Sequence, residues 1–166
     1  MREMADLRFQ GPAWTFGDQI DTDQIVSGQF LTATVDEQGR HVFEAICPEF
    51  CREFKVGGII VAGSNFGCGS SRESAPDVLK HVGVAAVVAG SFARIFFRNA
   101  IAIGLPVLVC PGVAAAVRRG DQVEVDLERA QVTAAASGKR LDAVPLNAIM
   151  LECLRKGGIM KLLSEP

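Results

Sequence analysis

The sequence predicts an α/β fold built around parallel strands, and three observations carry that expectation. First, "GGIIVAG" at 57–63, "VAAVVAG" at 84–90 and "LPVLVC" at 105–110 are short continuous apolar runs, two of them bounded by glycine, with the length of buried strands. Second, "RESAPDVLKHVG" at 72–83 and "SFARIFFRNAIAIG" at 91–104 lie between them, carry helical apolar spacing and end at Gly83 and Gly104. Third, the connections are short, and strand–helix–strand–helix–strand with short connections implies parallel pairing.

The remaining elements follow in order. "LRFQGPAWTF" at 7–16 reads as a strand interrupted by Gly-Pro. The polar stretch 17–39 reads as a functional loop with short ordered pieces, its hydrophobes confined to pairs such as Ile25-Val26 and Phe30-Leu31. "HVFEAI" at 41–46 has helical spacing, and "PEFCREF" at 48–54 restarts a helix at a proline suited to a first turn. Pro76 falls early in the helix at 72–83, where it is tolerated, and Ser91 is placed to cap the next helix. "GVAAAVRRG" at 112–120 predicts a short helix. "QVEVDLE" and "AQVTAAA" alternate apolar and polar residues, as in an antiparallel pair with one wet face. "PLNAIMLECLRKGG" at 145–158 predicts a final amphipathic helix stopped by Gly157-Gly158. The 166 residues, with no repeat or linker, are read as one domain over 1–166.

Composition narrows the function classes. With 17 basic against 19 acidic residues there is no positive excess to hold a phosphate backbone, so nucleic acid is not an expected partner. The N-terminus lacks an apolar signal core and no apolar run could span a bilayer, so a cytoplasmic protein without membrane contact is expected. Hydrophobic residues make up 49% of the chain, a high share that suits a surface covered by a partner. The five cysteines, Cys47, Cys51, Cys68, Cys110 and Cys153, are odd in number and form no C-x-x-C. They read as reduced thiols, and no metal site is expected on this chain.

One stretch concentrates the chemistry: "GSNFGCGSSRESAP" at 63–76. It follows a buried strand and opens a helix, the position where open α/β sheets bind ligands. Gly67 and Gly69 let backbone amides approach an anion. Ser70 or Ser71 is placed to cap the helix, and Arg72 adds a guanidinium fork matched to a carboxylate. Phosphate readings fail, because a Walker loop needs a lysine and a dinucleotide fingerprint needs glycine where Arg72 stands. Asp21 and Asp23 lie in "IDTDQI", either as partners that hold the Arg72 fork or as turn caps. Arg94 and Arg98 stand one helical turn apart, as a solvated face or an interface. His41 and His81 read as structural, and Phe92, Phe96 and Phe97 as core.

In order along the chain, "GDQIDTDQI", "GSNFGCGSSRESAP" and "SFARIFFRNAIAIGLPVL" resemble the small subunits of 3-isopropylmalate dehydratase, free-standing counterparts of the aconitase swivelling domain. The likeness runs from about Gly17 to Leu108, and the segment through "LRKGGIM" is compatible with it. The resemblance implies the swivelling β/β/α fold and a hydro-lyase that acts on a 2-hydroxy dicarboxylic acid. It implies a large partner subunit carrying a [4Fe–4S] cluster, with one iron open to substrate, and no cofactor bound by this chain itself. A homo-oligomer is an alternative state for the chain on its own.

By the same resemblance Ser70 is the catalytic base, and Gly69, Ser71 and Arg72 bind substrate. Asp21, Asp23, Arg94 and Asn99 support the site. The "GQFLTAT" segment distinguishes substrates through Leu31, Thr32, Ala33 and Thr34. These four offer no positive charge for a third carboxylate, and burying an unpaired carboxylate is costly. A dicarboxylate with a small apolar substituent is therefore expected: isopropylmalate, or a methylated or unsubstituted malate. Homoaconitase-type relatives carry an arginine in this segment. Two positions depart from the family pattern: Ser74 stands where a histidine is usual, and Ala102 where an asparagine is common. A carboxylate-binding module of the same fold without catalysis is the reading from another class.

Overall fold

Seven strands form a single sheet in the order β4-β3-β2-β1-β5-β6-β7. The structure, a computed structural model, describes residues 6–164. Its elements are β1 (Arg8–Thr15), α1 (Thr22–Ile25), a 3₁₀ turn (Gly28–Phe30), α2 (Val35–Gly39), α3 (Phe50–Glu53), β2 (Ile59–Ala62), α4 (Ser74–His81) and β3 (Ala86–Ala89). There follow α5 (Arg94–Ile103), β4 (Val107–Val109), α6 (Val113–Ala116), β5 (Gln122–Asp126), β6 (Gln131–Ala134), β7 (Lys139–Asp142), α7 (Ala148–Lys156) and α8 (Ile159–Ser164).

β1 is the seam between two kinds of sheet. On one side it pairs parallel with β2, and β3 and β4 continue in parallel. On the other it pairs antiparallel with β5, followed by β6 and β7. Burial follows this division. Every residue of β2 and β3 is buried, as expected of parallel strands covered on both faces. β5 and β6 alternate buried and open positions, as expected of a sheet with one wet face. Each fully buried Ile or Val of β2 and β3 contributes about 1.5–3 kcal/mol of transfer free energy. The Gly-Pro in β1 does not break the strand. Gly11 lies where a Cβ would overlap the Gly57 carbonyl, so only glycine lets the two backbones approach.

α4 and α5 pack on one another, α2 packs on α4, and α7 and α8 pack on α5. The left-handed caps of α5 and α7 meet: Gly104 has φ 81°, Gly157 has φ 83°, and a Cβ on Gly104 would strike Gly157. Lys80 Nζ closes the junction by donating to the Ile103 carbonyl at 2.5 Å and the Gly157 carbonyl at 3.3 Å. Among the described residues no helix is long and apolar enough to cross a membrane.

The structure differs from the sequence reading in further places. "HVFEAI" is a series of turns, because Phe43 sits at φ 56°. That backbone, which breaks a helix, lets the Phe43 ring stack on Phe16 at 4.2 Å while its amide donates to Ile25 O at 3.0 Å. Ser91 does not cap α5: the cap is Ala93, and Ser91 Oγ instead accepts from the Asn65 amide at 2.8 Å. β7 and α8 extend the sheet and the helical layer beyond the two antiparallel strands and single last helix expected. "KRLD" is too short and too polar to announce a strand; only pairing with β6 makes it one.

Both histidines hold structure together. His81 Nε2 pairs with Asp36 at 2.6 Å and ties α4 to α2. The His41 ring stacks on Phe30 at 3.9 Å and 9°, with Glu44 and Glu37 on its two nitrogens. The hydrogen bond to Glu44, with help from Glu37 and against the cost of burial, raises the His41 pKa above its ordinary 6.5. A raised folded pKa stabilises fully below the ordinary value and is lost as pH rises through the raised one. The thermal-stability deficit of His41→Gln is therefore expected to be larger at pH 6 than at pH 9; melting curves at both pH values check it, and an equal deficit would remove the charge contribution.

Candidate active site

The loop after β2 is sewn between two other segments by main-chain hydrogen bonds. On one side Gln19 N donates to Ser64 O at 2.8 Å, Gly67 N to Ile20 O at 2.7 Å and Thr22 N to Cys68 O at 2.9 Å. On the other Phe66 N donates to Ser91 O at 3.0 Å and Ala93 N to Phe66 O at 2.9 Å. These contacts make isolated parallel bridges Asp21–Cys68 and Phe66–Phe92. Side chains reinforce them: Asp18 Oδ1 accepts from Ser64 N at 2.7 Å, and Asn65 Nδ2 donates to Gln19 Oε1 at 2.9 Å. A glycine-rich stretch that looks flexible in sequence is thus held like the middle strand of a small sheet. Gly67 is required twice over: its φ is 82°, and a Cβ would run into the Phe96 ring.

This scaffold presents Gly69, Ser70, Ser71 and Arg72 along one side of a cleft of about 280 Å³. Thr22, Gly67, Ala93, Arg94, Ile95 and Phe96 complete the lining. Phe96 is buried, and its ring meets Phe66 edge-on at 5.2 Å, so that wall is fixed by the core. Ile95, by contrast, is 51% exposed and turns an aliphatic side chain to the opening.

Arg72 is fixed from behind. Its Nη1 donates to Val26 O at 2.9 Å and to Asp23 Oδ1 at 3.2 Å, and its side chain is only 17% exposed. Both bonds leave from one nitrogen, and among the described residues Nε and Nη2 make no hydrogen bond. Asp23 Oδ1 also accepts from the Gly28 amide at 2.8 Å. That amide first, and Arg72 second, hold the Asp23 carboxyl below its ordinary range, so it stays charged beside the guanidinium. The two readings of the acidic pair are both realised, one by each residue. Asp23 is the partner of Arg72, whereas Asp21 forms the capping box of α1, with its carboxylate accepting from Gln24 N at 2.8 Å and its amide donating to Gln24 Oε1 at 2.9 Å.

The serines lie in a different relation to the helix than expected. α4 begins at Ser74, its cap is Glu73 and no side chain caps it. Neither Ser70 nor Ser71 is an N-cap, since Arg72 N turns back to Ser70 O at 2.9 Å before the helix starts. Thr22, unassigned in the sequence reading, is buried and donates through Oγ1 to Ser70 O at 2.9 Å. The Ser70 carbonyl thus accepts two hydrogen bonds, which orients its peptide at the edge of the cleft. The amides of Gly69, Ser70 and Ser71 make no hydrogen bond among the described residues. They leave three backbone donors unpaired beside the cleft, in a turn rather than at a helix terminus.

Arg94 reaches the cleft at the start of α5 and also borders a second groove with Arg98, Phe92, Phe97 and Met150. Asn99 does not line the cleft, nor do Leu31, Thr32, Ala33 and Thr34. Those four follow the 3₁₀ turn whose first residue, Gly28, lies against the Arg72 guanidinium, where a Cβ would stand 3.3 Å from Nη2. Val26 could not have been found from sequence, because it contributes only a main-chain oxygen. All five thiols are free. Cys47 and Cys51 do not form a shared face: Cys47 is buried, while Cys51 is exposed and donates to Val42 O at 3.0 Å. Burial pushes the Cys110 thiol up to about 11. Among the described residues no group of three or more His, Cys, Asp or Glu side chains could hold a metal ion.

Comparison with known proteins is consistent across three levels. Residues 33–111 match the Aconitase C-terminal domain family. The chain is 50% identical over 157 residues to the 3-isopropylmalate dehydratase small subunit 1 of Methanopyrus kandleri, covering 94% of this chain and 92% of that protein. It is 49% identical over 152 residues to the methanogen homoaconitase small subunit of Methanothermobacter thermautotrophicus, covering 91% and 88%. The crystal structure of a 3-isopropylmalate dehydratase chain from Methanocaldococcus jannaschii superposes with a TM-score of 0.88 at 39% identity, covering 94% of this chain and 93% of that one.

Gly67→Ala is expected to destabilise the protein by about 1–3 kcal/mol, through left-handed strain and the clash with Phe96. Gly17→Ala, with open space around its Cβ and no left-handed φ, is the control. Urea midpoints of the two variants check this, and equal midpoints would contradict the tight fit of the loop.

Proposed function

Since the chain belongs to the family of 3-isopropylmalate dehydratase small subunits, we propose that it is the proton-transferring and carboxylate-gripping subunit of a two-subunit hydro-lyase acting on a 2-hydroxy dicarboxylic acid. The observation that carries this reading is the placement of Ser70 and Arg72 in one cleft, with the guanidinium tethered through a single nitrogen. Arg72 takes one substrate carboxylate through its remaining N–H groups. Ser70 Oγ removes the proton alpha to that carboxylate. The free amides of Gly69, Ser70 and Ser71, together with Arg72 and Arg94, offset the negative charge that a seryl oxygen must carry to act as a base. The reverse step returns the proton from the same oxygen, so one group serves dehydration and rehydration.

The [4Fe–4S] cluster does not fit this chain, whose described residues include no ligand set for it. It is assigned to the large subunit, where it would act as Lewis acid toward the departing hydroxyl. For the substrate we favour 3-isopropylmalate and its 2-isomer, because Leu31, Thr32, Ala33 and Thr34 supply no cation for a third carboxylate. A methylated malate is the second reading, supported by a 43% identical relative in Methanocaldococcus jannaschii named isopropylmalate/citramalate isomerase small subunit. The homoaconitase reading is weaker despite the similar identity of its named relative, since a tricarboxylate would leave one charge unpaired.

Alone, the chain is expected to dehydrate neither isopropylmalate nor citramalate; combined with a cluster-bearing large subunit it is expected to turn over the former faster. Ultraviolet absorbance of the unsaturated product measures both, and turnover by the isolated chain would overturn the two-subunit assignment. Ser70→Ala in the assembled enzyme is expected to leave substrate affinity within about threefold and to lower kcat by about 10²–10⁴. Unchanged kcat would take Ser70 out of the base role.

A further inference from the structure

We infer that Gln38 is the positioning residue of the Leu31–Thr34 segment and thereby sharpens discrimination among substrate substituents, an inference that rests on reading that segment as the substrate-distinguishing one. Gln38 is 5% exposed, and Thr22 is the other buried polar side chain among the described residues. Thr22 supports the Ser70 peptide; Gln38 performs the matching task for the neighbouring segment. Its Nε2 donates to Phe30 O at 3.1 Å and to Ala33 O at 3.2 Å. These carbonyls flank Leu31 and Thr32, so a single side-chain amide brackets the tip from beneath.

The bracket is anchored on all sides. Gln38 belongs to α2, whose first turn is capped by Thr34 Oγ1 accepting from Glu37 N at 3.2 Å. α2 is tied to α4 through the Asp36–His81 pair. Phe30 is held from its other face by the His41 ring. The tip itself stays open, with Leu31 45% exposed and Thr32 exposed. Gly28, three residues before Leu31, abuts Arg72. A fixed base, an open tip led by Leu31 and a preceding turn that lies against the Arg72 guanidinium at Gly28 are what a substituent-reading element needs. An apolar residue at position 38 could fill the same space but would leave the Ala33 carbonyl without this donor and the Phe30 carbonyl with only the Ala33 amide, loosening the tip.

The test uses the assembled two-subunit enzyme with isopropylmalate and citramalate as paired substrates. Gln38→Met keeps the side-chain length and removes both donors. The expected result is KM for isopropylmalate raised about fivefold, kcat within about twofold, and the preference in kcat/KM for isopropylmalate over citramalate reduced by a similar factor. An equal loss on both substrates, or a fall in kcat alone, would overturn the positioning role. Leu31→Ala is measured alongside. If it shifts the preference while Gln38→Met does not, the inference fails and the reading of the segment stands. If neither shifts it, that reading falls and takes the inference with it. Should Gln38→Met not assemble, Gln38→Glu, which loses the donors when ionised, is judged by the same ratio.

Discussion

Main-chain hydrogen bonds that thread residues 64–68 between residues 19–22 and 91–93 are the constraint on which the cleft depends. A loop bearing Gly63, Gly67 and Gly69 would by itself sample many conformations, and ordering it costs conformational entropy. Here main-chain groups between Ser64 and Cys68 are paired with two neighbours that are themselves continuous with the sheet and the start of α5. Rigidity comes from pairing, while the glycines supply clearance: Gly63 makes room for Asp18, and Gly67 for Phe96. Cys68 and Phe66 pair outward, and the next four residues line the cleft.

The electrostatics follow from that placement. Asp23 and Val26 hold one nitrogen of Arg72 and leave the rest of the fork free, which orients the cation without neutralising its hydrogen-bonding capacity. The cleft that Ser70 lines therefore also holds a tethered guanidinium, Arg94 and unpaired loop amides. The terminus of α4 adds less than its nearness in sequence suggests, because Ser74 opens the helix only after a turn at Ser70–Arg72. Among the described residues the Ser74 side chain makes no hydrogen bond.

The long periodic elements were legible because their patterns are local. Buried strands at 59–62 and 86–89, helices closed by Gly83 and Gly104, and the wet antiparallel pair all appear where the residue pattern puts them. The failures share one cause. Phe43 accepts a left-handed backbone to reach Phe16, Ser91 turns its hydroxyl to a loop amide, and β7 forms from residues with little strand character. In each case a pairing partner, near in the β6–β7 hairpin and distant in the other two, offered more than local propensity. The site was legible in the same uneven way. Ser70, Ser71, Arg72, Gly69 and Arg94 line the cleft, whereas the supports from Thr22, Val26 and Gln38 are hydrogen bonds that no motif encodes.

The sequence by itself determined the α/β class, the reactive loop and the chemical types available to it, since these depend on residue identity and short-range spacing. Tertiary structure alone decided which groups meet. Asp23 reaches Arg72 across 49 positions, Thr22 reaches the Ser70 carbonyl across 48, and Val26 reaches Arg72 across 46. Such contacts depend on the register in which separate segments align, and that register is fixed by packing of the whole sheet rather than by any residue's own preference.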